Sequence, residues 1–217
     1  MKDIEELVSG FRRFQRHYFD EHRELFEQLV RQGQAPRVMV IGCSDSRVDP
    51  AIILDCDPGD LFVVRNVANL VPPHETGGGY HGTSAALEFA VRGLRVRHVV
   101  VLGHAHCGGI RALMGELPLA GGAEFIGPWM SIADPARRAV ARDHAAASFN
   151  DQARACELEA VRVSLENLAS FPFVREAVAR GRLAVHGWYF DIEQGALLRF
   201  DRGQSRFEAV VEGIRVG

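Results

Sequence analysis

Two short apolar runs constrain the fold of this chain more than any other feature. They are RVMVIG at residues 37–42 and HVVVLG at residues 98–103. Continuous apolar runs of this length are typical of strands that are buried on both faces, as the strands of a parallel sheet are. A further buried strand is predicted at residues 61–65, and helical patterns separate the three. This alternation predicts βαβ units with right-handed crossovers around a parallel sheet.

Helical patterns flank this core. Apolar residues recur at three- and four-residue spacing through residues 3–32, which predicts one long helix or two shorter ones that end at Gly33. The apolar stripe of this arm requires a partner, such as another subunit. Residues 124–180 are predicted to be helical, and two strands follow at 183–190 and 197–200, the second one antiparallel at an edge.

We therefore expect an α/β fold with a central, mostly parallel sheet of four strands, an antiparallel edge strand, flanking helices and a long N-terminal helical arm. At 217 residues the chain suits a single domain. Its predicted segments are the arm at 1–32, an α/β core at 33–123, a helical segment at 124–180 and C-terminal strands at 181–217.

The composition argues against several classes of function. A dedicated nucleic-acid-binding protein is normally basic, whereas this chain has a net charge of −3. No apolar run approaches the roughly 20 residues that span a bilayer, and the charged N-terminus lacks the apolar region of a secretory signal. The four cysteines form no dense framework, which favours a reducing compartment. We expect a soluble cytoplasmic protein with neither nucleic-acid nor membrane partners.

Potential metal ligands follow both of the apolar runs. Cys43 and Asp45 come after the first run, and His104 and Cys107 come after the second. The carboxyl ends of parallel strands meet at one edge of a sheet, so these two segments can be neighbours in space. Zinc binds cysteine sulfur, histidine nitrogen and carboxylate oxygen, usually four at a time. The four residues are therefore candidate zinc ligands.

Asp45 has two possible partners in this arrangement. It lies two residues before Arg47 and can form a bidentate ion pair with it. The metal then keeps three protein ligands and an open position for water, which is the pattern of catalytic zinc. The carboxylate could also orient a zinc-bound hydroxide. If the metal holds Asp45 instead, the site is closed and structural. The residues alone leave both interpretations open.

Four segments carry a family resemblance. CSDSRVDP (43–50), RNVAN (65–69), HGTSAALEFAV (81–91) and GHAHCGGI (103–110) resemble the β-class carbonic anhydrases. The resemblance implies one zinc ion per chain, held by Cys43, His104 and Cys107, with Asp45 either on the metal or paired to Arg47. It implies reversible hydration of CO₂ to bicarbonate and a proton, by a zinc-bound hydroxide with an Asp-Arg gate. It also implies a homodimer, or a dimer of dimers, whose N-terminal helices embrace the partner.

The resemblance extends to a subtype. Val40 stands where the subtype with a non-catalytic bicarbonate site has tryptophan. The plant-like subtype has glutamine at the position of Gln34, phenylalanine at Phe62 and valine at Val67, and its pocket tyrosine aligns with Phe89. We therefore favour the plant-like subtype.

That subtype implies a substrate pocket. We expect Phe62, Val67 and Phe89 to form an apolar CO₂ pocket, which suits a small uncharged gas. Gln34 and the backbone N–H of Gly108 are expected to hold a bicarbonate oxygen.

Two other functions stay open at this point. The first is a zinc hydrolase of CS₂ or carbonyl sulfide, which would use the same ligands. The second is a non-catalytic zinc-binding or interaction protein, in which Asp45 stays permanently on the metal.

Overall fold

The computed structural model describes residues 3–77, 79–116 and 124–214. Parts of the predicted segments, residues 1–2, 117–123 and 215–217, lie outside the described residues. The chain forms two compact units, Met1–Ala35 and Pro36–Gly217. Within the described residues no helix combines the length and the apolarity needed to cross a bilayer.

The N-terminal unit consists of two helices, α1 (Ile4–Phe14) and α2 (Arg23–Gln32), with a π-helical turn at Gln15–Phe19. Of the two predicted possibilities, the structure therefore has the shorter helices. Asp3 begins α1 with a capping box, because it exchanges side-chain to backbone hydrogen bonds with Glu6. Gly33, at φ 73°, ends α2 as expected. Four aromatic rings pack together within the unit: Phe14, Tyr18, Phe19 and Phe26.

The larger unit is built on a six-stranded sheet with the order β2-β1-β3-β4-β5-β6. Its strands are β1 (Val38–Cys43), β2 (Leu61–Asn66), β3 (His98–His104), β4 (Ala184–Asp191), β5 (Ala196–Asp201) and β6 (Arg206–Val211). The first four are parallel and the last two are antiparallel, which confirms the predicted fold class. The structure adds β6 to the prediction. Its apolar residues Val210 and Val211 are exposed, so its sequence lacks the signal of a buried strand.

Helices connect and cover these strands. They are α3 (Pro50–Ile53), α4 (Gly82–Glu88), α5 (Gly108–Leu113), α6 (Ile126–Met130), α7 (Asp134–Asp143), α8 (Phe149–Ser170) and α9 (Pro172–Ala179). Helix α4 is continued by a π-helical turn at Phe89–Leu94. The segment 124–180 is not helical throughout as predicted, because the chain turns after Asp143 before Ser148 caps α8.

Helix α8 packs closely on the centre of the sheet. Its residues Val161 and Leu165 are buried against β3 and β4, where Gly103 and Gly187 leave room for them. A Cβ atom built on Gly103 would lie 2.6 Å from Val161 Cγ2, and one on Gly187 would lie 2.8 Å from Leu165 Cδ1. The absence of side chains at both glycines therefore sets how close α8 comes to the carboxyl end of β3.

We predict that Gly103→Ala lowers the free energy of unfolding by about 1–3 kcal/mol, because the added methyl overpacks the contact with Val161. Urea denaturation would measure this loss. The double variant with Val161→Ala serves as the control, since it removes the clashing methyl groups and should lose less than the sum of the single variants. Strict additivity, or a Gly103→Ala protein as stable as wild type, would contradict this close packing.

Candidate metal centre

Three potential metal ligands meet at the carboxyl edge of the sheet. Cys43 is the last residue of β1 and His104 is the last residue of β3, and these two strands are parallel neighbours. Cys107 follows at the N-cap of α5. All three are buried, and their ligand atoms lie within 4.8 Å of one another. The structure thus brings together two predicted segments that are distant in sequence.

The two thiols form a closely coupled pair. The Sγ atoms of Cys43 and Cys107 are 4.0 Å apart. The pKa of Cys43 is lowered, first by the hydrogen bond from Cys107 and then by His104, while the pKa of Cys107 is raised by Cys43 and by burial. Two thiolates this close repel each other, so the pair by itself holds on to a proton. A divalent cation would compensate both charges and allow both thiols to ionise.

His104 presents an unpaired nitrogen to the same space. Its Nδ1 lies 2.9 Å from the carbonyl oxygen of Ala105, which can only accept, so Nδ1 carries the proton. The lone pair is then on Nε2. This atom is buried and makes no hydrogen bond of normal geometry among the described residues, although, against the effect of burial, the neighbouring Cys43 thiol raises the pKa of His104. A buried acceptor without a partner is costly, and a histidine fixed through its other nitrogen is the usual form of a metal ligand. Two thiols and this imidazole fit zinc.

Asp45 is paired with Arg47. Arg47 Nε donates to Oδ1 at 2.9 Å, Nη2 donates to Oδ2 at 2.7 Å, and the backbone N–H of Arg47 donates to Oδ1 at 3.0 Å. The hydrogen bonds from Arg47 lower the pKa of Asp45 to about 2. Of the two partners that the sequence allows, the structure shows Arg47. The carboxylate lies outside the group formed by the two cysteines and His104.

A second arginine anchors the turn that carries Cys43 and Asp45. Arg65, near the end of β2, donates to the carbonyl oxygen of Cys43 at 2.8 Å and to that of Asp45 at 2.6 Å. It also pairs with Asp49 at 2.8 Å, and Asp49 caps α3. The sequence does not reveal this role of Arg65. The available signal is a charged residue at the end of a strand that was predicted to be buried, whereas β2 is a partly exposed edge strand.

The turn from His104 to Cys107 is held by groups that the sequence analysis also missed. The backbone N–H of Cys107 donates to Glu157 Oε1 at 2.9 Å, and the hydroxyl of Tyr189 donates to Oε2 at 2.7 Å. Glu157 is only 4% exposed, and its burial raises the pKa of the carboxyl group. A charged residue on the buried face of α8 was the available signal. His106 pairs with Glu193 at 2.8 Å and takes no part in the ligand group.

The residues expected to bind substrate fall into separate places. Gly108 follows Cys107 directly, and Val67 lies beside Gly109, where an added Cβ would meet Val67 Cγ1 at 2.8 Å. Phe62 and Phe89 contact each other, with ring centroids 5.8 Å apart. Gln34 belongs to the N-terminal unit, where it is exposed.

The phenylalanine pair is remote from the ligands within one chain. In the register of β1 and β2, Cys43 lies opposite Asn66, and Phe62 comes four residues earlier. At about 3.3 Å per residue, Phe62 is roughly 13 Å along the strand from the ligand edge. One chain therefore places Val67 and Gly108 beside the metal ligands, but not Phe62 and Phe89.

Comparison with known proteins gives one consistent family. A family model described as "Carbonic anhydrase" matches residues 38–197. The chain is 37% identical over 202 residues to a carbonic anhydrase of Synechococcus elongatus, which covers 93% of this chain and 73% of that protein. It is 40% identical over 194 residues to beta carbonic anhydrase 3 of Arabidopsis thaliana, with 88% and 74% covered.

Solved structures give the same result. The structure of the β-carbonic anhydrase CcaA superposes with a TM-score of 0.89 at 35% identity, and the match covers 96% of this chain and 94% of that one. One of two tetrameric β-carbonic anhydrases from Sordaria macrospora superposes with a TM-score of 0.77 at 30% identity, covering 97% and 98%.

We predict that the purified protein holds about one zinc ion per chain and that His104→Asn loses it, because Nε2 of His104 is the unpaired ligand atom. Metal content is measured by plasma mass spectrometry after dialysis. His106→Asn is the matched control: it changes the neighbouring histidine, whose side chain faces Glu193, and asparagine tolerates its φ of 58°. Equal zinc in the two variants would contradict the assignment.

Proposed function

The chain belongs to the β-carbonic anhydrase family, and we propose that it catalyses the reversible hydration of CO₂ with a zinc ion held by Cys43, His104 and Cys107. As a carbonic anhydrase it is a lyase. The observation that carries the zinc assignment is the buried Cys-His-Cys group, with its unpaired Nε2 atom on His104. Three protein ligands instead of four are typical of catalytic zinc.

A metal ion held by Cys43, His104 and Cys107 would supply the chemistry of the proposed reaction. Zinc, when bound there, supplies a Lewis acid that activates water for attack on CO₂ near neutral pH. Cys43 and Cys107 would bind as thiolates, and the backbone N–H of Asp45, 3.4 Å from Cys43 Sγ, favours the thiolate form of Cys43. Burial of all three ligands excludes bulk water from the centre.

Asp45 and Arg47 form the gate of the proposed mechanism. The ionised Asp45 carboxylate can only accept hydrogen bonds, so it can orient a reacting water by accepting a hydrogen bond from it. Arg47 holds that carboxylate in place with three N–H groups, so a metal held by Cys43, His104 and Cys107 would take no ligand from Asp45 in this arrangement. Release by Arg47 would let Asp45 reach the metal and shut the site.

The substrate pocket is proposed to combine two copies of the chain. Val67, which is 37% exposed, and the Gly108 backbone lie beside the ligands. Phe62, on β2, lies too far from the ligand edge to reach the centre of its own chain, and Phe89 contacts Phe62 from the π-helical turn, so the two contribute only if they face the centre of a partner. Gln34 is proposed to hold a bicarbonate oxygen in the assembled protein.

The proposed plant-like subtype has two supports. Val40 is fully buried in the centre of the sheet, in a position where the other subtype has tryptophan. The identity of 40% to the Arabidopsis protein agrees with the plant-like assignment. A cytoplasmic location is also proposed, since a reducing compartment keeps the closely spaced thiols of Cys43 and Cys107 from forming a disulfide.

The activity is tested by stopped-flow CO₂ hydration on zinc-loaded protein. We predict that Asp45→Asn keeps its zinc and slows turnover about 10- to 100-fold, because a neutral amide is a weaker acceptor for the reacting water. Ser46→Ala, an exposed change in the same turn, is the control and should keep full turnover.

Other results would contradict either the role of Asp45 or the proposed reaction. Full turnover in Asp45→Asn would remove Asp45 from the mechanism. No CO₂ hydration by zinc-loaded wild type would overturn the proposed reaction, and a sulfide-release assay with CS₂ and carbonyl sulfide would then test the hydrolase. Inactivity toward all three substrates would favour a non-catalytic zinc protein.

We further propose a homodimer, or a dimer of dimers, assembled through the N-terminal helix. The apolar stripe of α1 is exposed, with Ile4 at 74%, Leu7 at 55% and Phe11 at 63%. Contiguous exposed apolar side chains of this kind commonly mark protein–protein contact surfaces. The Sordaria relatives are described as tetrameric, which supports an assembly of this kind.

We predict that the double variant Leu7→Glu with Phe11→Glu reduces the oligomer to monomers, because it places charges in the apolar stripe of α1. Light scattering coupled to size-exclusion chromatography measures the mass. Arg13→Glu, which lies opposite Ile4 on the same helix, is the control and should keep the wild-type mass. A monomeric wild type would contradict the assembly.

A further inference from the structure

The peptide group between His106 and Cys107 is held from both sides by opposite charges. Its carbonyl oxygen, on His106, accepts from Arg47 Nη2 at 3.0 Å. Its N–H, on Cys107, donates to Glu157 Oε1 at 2.9 Å. A guanidinium at the oxygen and a carboxylate at the N–H both stabilise the dipole of this one peptide. The orientation of the peptide is therefore fixed.

The held peptide lies at a strained point of the chain. His106 adopts φ 58°, the left-handed region that histidine occupies only at a cost. The turn must adopt this conformation to bring His104 and Cys107 to the same space from positions only three residues apart. Arg47 and Glu157 bind the peptide that directly follows this strained residue.

Glu157 is itself held rigidly. It lies on α8 and is 4% exposed, and its second oxygen accepts from the hydroxyl of Tyr189, a fully buried residue on β4, at 2.7 Å. The ring of Tyr189 contacts Arg154, which pairs with Asp191 at the end of the same strand. Glu157 is thus fixed to both the helix and the sheet, so it can serve as a firm support for the turn.

We propose that Glu157 is a positioning residue, which holds the Cys107 peptide so that the Cys107 thiol and His104 Nε2 face one metal ion. The inference rests on the zinc site of the proposed function. The proposed role requires a side chain at position 157 that is long enough to reach the Cys107 N–H and that carries an oxygen to accept its hydrogen bond. Residues that support metal ligands in this way commonly change metal affinity about 10- to 100-fold when they are replaced.

Two substitutions of Glu157 test separately the length of its side chain and its negative charge. Glu157→Gln keeps the reach: its amide oxygen can accept from the Cys107 N–H, while its NH₂ group donates to the Tyr189 oxygen. Glu157→Asp keeps the charge but is one methylene shorter, so it cannot meet both donors. We expect zinc affinity, measured by competition with a chelator, to fall about 10- to 100-fold in Glu157→Asp and to stay within about threefold in Glu157→Gln.

The control lies on the same helix. Ser164 is fully buried on α8, and its Oγ accepts from the backbone N–H of Val71 at 3.2 Å. Ser164→Ala therefore removes the same kind of bond at a place without metal ligands, and its zinc affinity should match that of wild type. Cobalt substitution adds a spectroscopic readout. The thiolate-to-cobalt charge-transfer band should shift in Glu157→Asp but not in Ser164→Ala.

Three results would overturn the proposal: wild-type affinity in Glu157→Asp, an equal loss in Glu157→Gln, or an equal loss in Ser164→Ala. If Glu157→Asp does not fold, as judged by circular dichroism, Tyr189→Phe replaces it. That variant frees one oxygen of Glu157, and unchanged zinc affinity in it would also overturn the role.

The readouts are independent of catalysis. Wild type that hydrates no CO₂, together with a Glu157→Asp variant that loses zinc affinity, would reject the proposed function and keep this inference. Full CO₂ hydration by wild type, with unchanged zinc affinity in Glu157→Asp, would reject this inference alone.

Discussion

The parallel pairing of β1 with β3 is the constraint on which the rest of the structure depends. It places the end of β1, at Cys43, beside the end of β3, at His104, although the two segments are far apart in sequence. The close packing of α8 on Gly103 and Gly187 fixes the sheet from one side. Cys43 and His104 are therefore carried by the ends of two buried strands, which is the arrangement that a preorganised site requires.

The groups around the centre compensate one another's charges. Cys43 and Cys107 supply two thiols whose ionised forms repel each other, which favours a cation between them. Around them, Arg47 holds the Asp45 carboxylate and the His106 carbonyl, Arg65 holds the backbone of the first turn, and Glu157 holds the second. Each buried polar group in this outer layer has a partner, so the unpaired Nε2 atom of His104 stands out as the place for a ligand.

The parallel part of the sheet and the candidate metal ligands could be predicted from the sequence, because both rest on local sequence patterns. The apolar runs specified the parallel strands, and the cysteines and histidine after them indicated the candidate ligands that the structure brings together. Three features could not be predicted. The strand β6 carries no buried pattern, since its residues Val210 and Val211 are exposed. Glu157 meets Cys107 only through the packing of α8 on the sheet. The distance of Phe62 from the ligand edge follows from strand register, which motif matching ignores.

The central claim is that the centre is an open zinc site in which Arg47 keeps Asp45 away from the metal. A crystal structure of the zinc-loaded protein at neutral pH tests it most directly. The account predicts zinc bound by Cys43, His104 and Cys107, with the Asp45 carboxylate still paired to Arg47 as it is here, at 2.7 Å from Nη2. A zinc ion coordinated by Asp45, with Arg47 turned away from it, would contradict the account.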